Sequence, residues 1–161
     1  MINDMDKVKI VEFDDKYEEQ AKEVIYRELR KLGRLNENQV ASPDSDLNHI
    51  GEIYKGRSRF WLALQDDKVV GTTAIKELNG SEAELVRMYV LSEMHGTGVG
   101  QKLFNQALEF VASKNYKKIV LCTNKIMQRA QRFYEKNGFV KISEDDDKLI
   151  FELVLSSYNG K

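Results

Sequence analysis

The sequence predicts a mixed α/β fold in which one sheet has helices on both faces. Three observations support this prediction. Apolar runs with strand-like patterns occur at both ends and in the centre of the chain, other segments repeat apolar residues at helical spacing, and a glycine-rich turn joins a central strand to a helix. Because 161 residues are enough for a substantial core, we expect residues 1–161 to form a single domain.

The first half of the chain predicts a strand, helices and then three antiparallel strands. Residues 8–13 alternate apolar and polar side chains, as a strand does. Apolar residues recur at helical spacing over 17–32, and a short helix is expected over 46–54. The three strands follow at 59–65, 69–78 and 84–90, and tight turns at 66–68 and 79–81 join them.

The second half predicts a helix, a strand, a second helix and a final strand. Apolar residues over 103–112 recur at i, i+1, i+4, i+5, i+8 and i+9, which is one face of an amphipathic helix. The run KIVLCT at 118–123 predicts a strand. A second apolar helical stripe over 126–134 ends at Asn137 and Gly138, a common helix stop. Residues 149–155 predict the last strand.

A glycine-rich segment at 94–102 predicts a site for a phosphate-bearing ligand. Gly96, Gly98 and Gly100 separate the 84–90 strand, which we expect to be buried on both faces, from a helix. Such glycines let the backbone approach an anion, and the free N–H groups of the first helical turn point at it. The phosphate-loop pattern fails because no Gly-Lys-Ser/Thr follows. The dinucleotide pattern fits poorly because no carboxylate lies about 20 residues later.

Two motifs in order make the chain similar to one superfamily. His95–Gly100 resembles the coenzyme loop Arg/Gln-x-x-Gly-x-Gly/Ala of the GNAT superfamily of N-acetyltransferases, with His95 where Arg or Gln is usual. The run AQRFYEKNGF at 130–139 resembles the second GNAT signature, Ala-x-x-x-Tyr-x-x-x-Gly-Phe. The resemblance covers about residues 60–151 and is nearest to bacterial members with no assigned acceptor. It implies a mostly antiparallel mixed sheet with a splayed central strand pair.

The resemblance implies an N-acetyltransferase that moves an acetyl group from acetyl-CoA to a primary amine by direct attack in a ternary complex. Tyr134 is expected to be the acid that protonates the departing thiolate, and Glu84 the base. A packing role for Tyr134 and an exposed, unused Glu84 stay open, with Glu82 replacing Glu84 if the strand register shifts. The alternative function is a non-catalytic acyl-CoA sensor or partner-binding module.

The resemblance also implies how acetyl-CoA is held. The backbone of residues 88–90 would bind the pantetheine as an added strand, and the N–H groups of 95–101 would hold the pyrophosphate. Asn124 either replaces the asparagine that many relatives have at the position of Met127 or only caps a helix. The Lys102 ammonium either adds charge or is solvated. The expected coenzyme contacts are Met88, Tyr89, Val90, His95, Gly96, Thr97, Gly98, Val99, Gly100, Gln101, Lys102 and Asn124.

The acceptor is expected to bind beside the segment between the first two strands, residues 33–59. Asp46 and Tyr54, together with Tyr89, are the candidate substrate-binding residues. The acceptor is either a small-molecule amine or a protein or peptide amine. The acidic run 144–147 is either a solvated loop before the last strand or a contact for a cationic acceptor. Cys122 is expected to pack in the core.

Composition excludes several classes of protein. The formal net charge is −1, from 25 basic and 26 acidic residues, which gives no field for nucleic acid or an acidic membrane. No apolar run approaches the roughly 20 residues that span a bilayer. His49 and His95 lack metal-ligand spacing, so we expect no metal. The single cysteine and the polar N-terminus predict a cytoplasmic protein, and a homodimer is left open.

Overall fold

The computed structural model describes residues 7–36 and 39–155, and they form a seven-stranded sheet in the order β1-β2-β3-β4-β5-β7-β6. Neighbouring strands are antiparallel except β4 and β5, which are parallel. The elements along the chain are β1 (Val8–Glu12), α1 (Glu18–Lys31), α2 (Ile50–Ile53), β2 (Arg59–Gln65), β3 (Lys68–Glu77), β4 (Glu82–Val90), α3 (Val99–Ser113), β5 (Lys118–Asn124), α4 (Gln128–Lys136), β6 (Val140–Asp145) and β7 (Lys148–Val154). The predicted fold class is confirmed.

Tight turns set the register of the antiparallel strands. Asp66 and Asp67 both have positive φ, 51° and 65°, as a two-residue turn matched to the strand twist requires. They join Gln65 of β2 to Lys68 of β3, which are register partners. The predicted turn at this point is confirmed. The helix expected over 46–54 is instead divided into a 3-10 turn, Asp46–Asn48, and the short α2.

Different helices cover the two faces of the sheet. Trp61 in β2 contacts Phe110 of α3, with ring centroids 5.2 Å apart. The next side chain back along the strand, Phe60, points to the opposite face because strand side chains alternate. There it contacts Tyr54, directly after α2, at 5.2 Å. Phe60, Trp61 and Phe104 of α3 are all nearly inaccessible to solvent, so the core lies on both sides of β2 and β3.

The central strand pair is splayed. β4 and β5 are paired only at Glu82–Lys118, Ala83–Ile119 and Glu84–Val120, although both strands continue further. Ala83 and Leu85 are buried, but the rest of β4 is only half-buried. The expectation that β4 is buried on both faces is therefore wrong. Beyond Glu84 the strand has lost its neighbour on one side, and its edge opens into a cleft.

The sequence does not predict β6. All six of its residues are exposed, so no buried face imposes an apolar pattern that would distinguish a strand from a loop. Its backbone pairs with β7, ending at Asp145 opposite Lys148. The predicted loop at 144–147 is therefore wrong for Glu144 and Asp145, which belong to β6. Only Asp146 and Asp147 form the turn.

The helix after the glycine turn supplies much of the core. α3 begins at Val99, and its buried residues follow the predicted apolar face, with Leu103, Phe104, Ala107 and Val111 fully inaccessible. The helix lies across β1 to β4, which places its N-terminus beside the end of β4. None of the helices within residues 7–36 and 39–155 is long and apolar enough to cross a membrane.

Candidate active site

A cleft of about 570 Å³ opens where β4 and β5 separate. One wall is the end of β4, at Met88, Tyr89 and Val90, and a second wall is the glycine turn before α3. The third wall is α4, which contributes Phe133 and Tyr134. We call this space the glycine-loop cleft. It brings together two segments that were expected to hold the coenzyme, the end of β4 and the glycine turn, with the expected acid, Tyr134.

The glycine turn presents unpaired N–H groups to this cleft. Gly96 and Gly98 have φ of 81° and 93°, the left-handed region that favours glycine, and Gly98 is the N-cap of α3. Within the described part of the chain, no acceptor is found for the N–H groups of Gly96, Gly98, Val99, Gly100 and Gln101. Several such groups at a helix N-terminus form a site for a phosphate oxygen.

Side chains around the turn hold its shape. The Thr97 hydroxyl donates to the Met94 carbonyl, and Thr97 does not line the cleft. Thr97, which was expected to contact the coenzyme, therefore stabilises the turn from within. His95 Nε2 lies 3.1 Å from the Val90 carbonyl oxygen, a hydrogen bond that requires the proton on Nε2. Thus His95 ties the turn to the end of β4.

Two further side chains expected at the coenzyme lie elsewhere. Lys102 Nζ donates to the Val8 carbonyl at 2.9 Å, at the edge of β1 rather than in the cleft. Asn124 Oδ1 accepts the Ile126 N–H at 3.0 Å, and its Nδ2 donates to Asp147 at 3.2 Å. Its amide is occupied in the turn before α4, as the capping interpretation suggests. We therefore remove Lys102 and Asn124 from the coenzyme site.

A second, more polar pocket of about 470 Å³ lies beside the first. It is bounded by the segment from Asp46 to Tyr54, by β3 and β4, and by Cys122 and Thr123 of β5. We call it the polar pocket. The two spaces share four lining residues: Met88, Tyr89, Met127 and Tyr134. A molecule in the glycine-loop cleft and another in the polar pocket would therefore meet at these side chains.

Tyr134 lies at the junction of the two spaces. The residue is 8% exposed, and its ring packs against Phe139 and Phe151. Burial, with a smaller contribution from Tyr89, raises the pKa of the Tyr134 hydroxyl above its usual value. Among the residues described, none forms a hydrogen bond with this hydroxyl. Tyr134 is therefore a neutral donor that remains free to bond a ligand.

Glu84 is the carboxylate that the strand register brings to the polar pocket. It pairs with Lys76 of β3 and points to the sheet face of Ala74 and Phe60, the face covered by α2. Glu84 is half-buried and lines the pocket, whereas Glu82 does not. The structure thus brings Glu84 and Tyr134 to the same pocket, as expected of a base and an acid.

Arg87 is a pocket residue that sequence reasoning missed. It lies at a bulge in β4, where two residues oppose Thr73, and its φ is 55°. The Thr72 hydroxyl donates to its carbonyl at 2.7 Å. The guanidinium binds both carboxylate oxygens of Asp46, with Nε 3.1 Å from Oδ2. An arginine within an apolar strand does not indicate a bulge, so the sequence contains no signal that would identify Arg87 as a pocket residue.

Asp46 and Tyr54 belong to the Arg87 network. The Tyr54 hydroxyl donates to Asp46. Burial raises the pKa of Asp46, but the hydrogen bonds from Arg87 and then Tyr54 outweigh it and hold that pKa below its usual value. Burial, followed by the bond to Asp46, raises the pKa of Tyr54. The Asp46 carboxylate and the Tyr54 hydroxyl thus have partners within the protein, and both residues line the polar pocket. Direct binding of an amine by Asp46 and Tyr54 stays a prediction.

Cys122 is exposed rather than packed in the core. Its neighbours Leu121 and Thr123 point into the protein and are buried, so Cys122 faces the other way, into the polar pocket. The expected packing role is wrong because β4 has moved away at this level. Within the portion that the structure describes, no group of three or more His, Cys, Asp or Glu residues is placed to hold a metal ion.

The model of the acetyltransferase (GNAT) family matches residues 17–139. The chain belongs to the GNAT family. Among solved GNAT structures, an acetyltransferase from Staphylococcus aureus superposes with a TM-score of 0.83 at 24% identity, covering 92% of this chain and 99% of that one. The PaiA N-acetyltransferase of Thermoplasma acidophilum, in complex with coenzyme A, superposes with a TM-score of 0.79 at 22% identity, covering 91% and 98%. These neighbours share the GNAT fold.

Some of the curated relatives are much longer than this chain. N-acetylaspartate synthetase of Danio rerio is 34% identical over 91 residues, which cover 56% of this chain and 32% of that protein. The chain thus spans about a third of the length of this relative. The match to the GNAT family includes the glycine turn and reaches the end of the second signature at Phe139, so the resemblance inferred from the two motifs is confirmed.

Proposed function

We propose that the protein is an N-acetyltransferase that transfers the acetyl group of acetyl-CoA to a primary amine by direct attack in a ternary complex. The observation that supports this most strongly is the junction of two spaces at Tyr134 and Tyr89. One space offers unpaired backbone N–H groups, and the other is polar and carries a carboxylate. A thioester held in the first and an amine held in the second would meet between them.

The glycine-loop cleft suits coenzyme A in shape and charge. Unpaired N–H groups of the turn fit the pyrophosphate, and the open edge of β4 at 88–90 fits an extended pantetheine arm. Lys31, Arg129 and Lys136 also line the cleft and favour a polyphosphate. Among the described residues that line the cleft, Glu28 is the one that is acidic. It accepts a hydrogen bond from the Ser92 hydroxyl and lies 3.6 Å from Lys31 Nζ. When bound, acetyl-CoA supplies the activated acetyl group.

Glu84 and Tyr134 move the two protons that the reaction requires. A lysine-type amine has a pKa of about 10.4 in water and must be neutral to attack. Glu84, directly or through a water, accepts the proton of the amine, and Tyr134 donates a proton to the departing sulfur. The Tyr134 phenol is protonated at neutral pH and so holds the proton that the second role requires. The position of this unpaired hydroxyl, in the lining of both spaces, supports the role.

A non-catalytic acyl-CoA sensor is the alternative, and it is supported less well. A sensor needs the glycine turn and the edge of β4, but it does not need a second pocket. In this chain the polar pocket, Glu84 and the unpaired Tyr134 hydroxyl accompany the cleft. Three properties stay predictions. The acceptor is a small-molecule amine or a protein or peptide amine, the protein forms a homodimer, and it is located in the cytoplasm.

Calorimetry with acetyl-CoA tests the coenzyme site. We expect micromolar binding by the wild type and none by Gly98→Trp, whose side chain would occupy the turn. Turnover is then measured as thiol release from a panel of amines. Tyr134→Phe should bind acetyl-CoA normally and lose roughly 10²-fold or more in kcat. Tyr116→Phe, whose hydroxyl bonds the Arg57 carbonyl far from the cleft, is the matched control. A folded wild type that binds no acetyl-CoA would overturn the proposal.

A further inference from the structure

We propose that the acceptor carries a carboxylate beside its reactive amine, as an α-amino acid does. In this arrangement Lys76 and Arg34 bind the carboxylate, and Glu84 faces the amine. The inference rests on the proposed function and names the substrate class of the polar pocket. It follows from which charges in that pocket are neutralised within the protein and which are left for a ligand.

Acidic and basic side chains line the polar pocket in equal number: Asp44, Asp46, Glu84, Arg34, Lys76 and Arg87. Asp46 and Arg87 neutralise each other through two hydrogen bonds. None of the other four forms an ion pair with any residue in the described ranges. The pocket therefore offers a ligand both signs of charge. A zwitterion satisfies both, whereas a polyamine would bring a second positive charge toward Lys76 and Arg34.

Lys76 and Glu84 have the spacing that a small zwitterion needs. They are direct partners across β3 and β4 and point to the same face, which puts their Cβ atoms about 4.5–5.5 Å apart. Their charged groups nevertheless form no ion pair with each other. A ligand whose amine and carboxylate are separated by one carbon can contact both, with the amine toward Glu84 and therefore in position to lose its proton.

Arg34 is a second cation that lines the polar pocket, and it lies beside Met127. Its Nη1 lies 3.6 Å from Met127 Sδ, and Met127 lines both the polar pocket and the glycine-loop cleft. A thioether is a weak acceptor, so the guanidinium keeps most of its donors for a ligand. Its planar fork matches a carboxylate with two parallel hydrogen bonds.

The first test compares amino acids with their amides. Each standard L-amino acid and its C-terminal amide is titrated into the protein with coenzyme A present, and thiol release with acetyl-CoA is measured separately. We expect at least one free acid to bind at least tenfold more tightly than its amide and to react with a correspondingly higher kcat/KM. Equal or tighter binding by the amides or by polyamines would overturn the inference, even if those amines are acetylated. Binding of the free acid without turnover would support it and contradict the proposed function instead.

Variants then test which side chains hold the carboxylate. Lys76→Gln and Arg34→Gln remove exposed side chains and should leave the fold intact. Each should raise KM for the free acid roughly tenfold or more, since hydrogen bonds to charged groups are strong, with little change in kcat or in the kinetics of the amide. Lys55→Gln, an exposed lysine outside the pocket, is the control. Equal losses for acid and amide, or no loss for either, would show that neither cation binds the carboxylate.

Discussion

Replacing Asp46 with alanine should destabilise the protein through the loss of one partner of a partly buried ion pair. Asp46 ties the segment after α1 to the bulge of β4, since it accepts two hydrogen bonds from Arg87 and one from Tyr54. Asp46→Ala leaves the Arg87 guanidinium without its carboxylate. The cost is therefore set by how far water can replace that carboxylate around Arg87.

The magnitude follows from the exposure of the two side chains, 17% for Asp46 and 26% for Arg87. Breaking a fully buried pair costs about 3–5 kcal/mol because a charge is left unsolvated. Partial exposure lets water reach Arg87, so we expect about 2–3 kcal/mol. For a domain of this size, each kcal/mol lowers Tm by about 2–4 °C, which gives a decrease of about 4–12 °C.

Thermal unfolding of the two variants Asp46→Ala and Asp44→Ala is the measurement. Asp44 also lines the polar pocket, but it is exposed and has no partner within the described residues. Its replacement should change the free energy of unfolding by no more than about 0.5 kcal/mol. If Asp46→Ala unfolds within 1 °C of the wild type, or if Asp44→Ala loses as much, the ion pair does not hold this segment.

The pH dependence of the same variant gives an independent check. The pKa of Asp46 is lowered in the folded protein, so its contribution to stability is fully present above the unfolded pKa of about 3.9 and is lost as the pH falls through the folded pKa. The difference in stability between wild type and Asp46→Ala should be constant above about pH 5 and shrink below about pH 4. A difference that grows in acid would contradict the assigned pairing.

Three further predictions concern the cleft and the pocket. Gly98→Ala should cost about 1–2 kcal/mol, because φ of 93° is unfavourable for alanine, and should weaken acetyl-CoA binding in calorimetry. Gly56→Ala, also at positive φ but with open space around it, should cost as much and leave binding unchanged. Because the pKa of Tyr134 is raised, kcat should show no Tyr134-dependent fall below pH 10; an alkaline fall in kcat below pH 10 that disappears in Tyr134→Phe would contradict the raised pKa. Finally, Cys122 should react with a thiol reagent in the native protein, and a bound acceptor should slow that reaction; a thiol that reacts only after unfolding would contradict its exposure.

The glycine turn and α3 could be predicted because their signals are local. A left-handed turn needs glycine at Gly96 and Gly98, and the helix that follows buries one continuous apolar face. Both features depend on residues a few positions apart. The same holds for the Asp66–Asp67 turn between β2 and β3. In each case the neighbouring sequence alone determines the backbone conformation.

The Arg87 network could not be predicted because its cause is not local. Arg87 and Asp46 are 41 residues apart, and the positive φ of Arg87 arises where β4 has one more residue than β3 at the bulge. Nothing in the residues around Arg87 requires this conformation. The pairing of two strands imposes it, and it turns a strand residue into a ligand for a distant carboxylate.

The errors in burial have one common physical cause, the separation of β4 from β5 after Glu84. An apolar strand in the middle of a sheet is normally covered on both faces and paired along both edges, which is what the compositions of β4 and β5 indicate. Once the strands splay, Met88 and Val90 line a cleft and Cys122 faces a pocket, although each lies in an apolar run. A binding site inside a sheet requires residues of core composition that are not packed as core. Sequence patterns therefore mislead most at the residues that form the site.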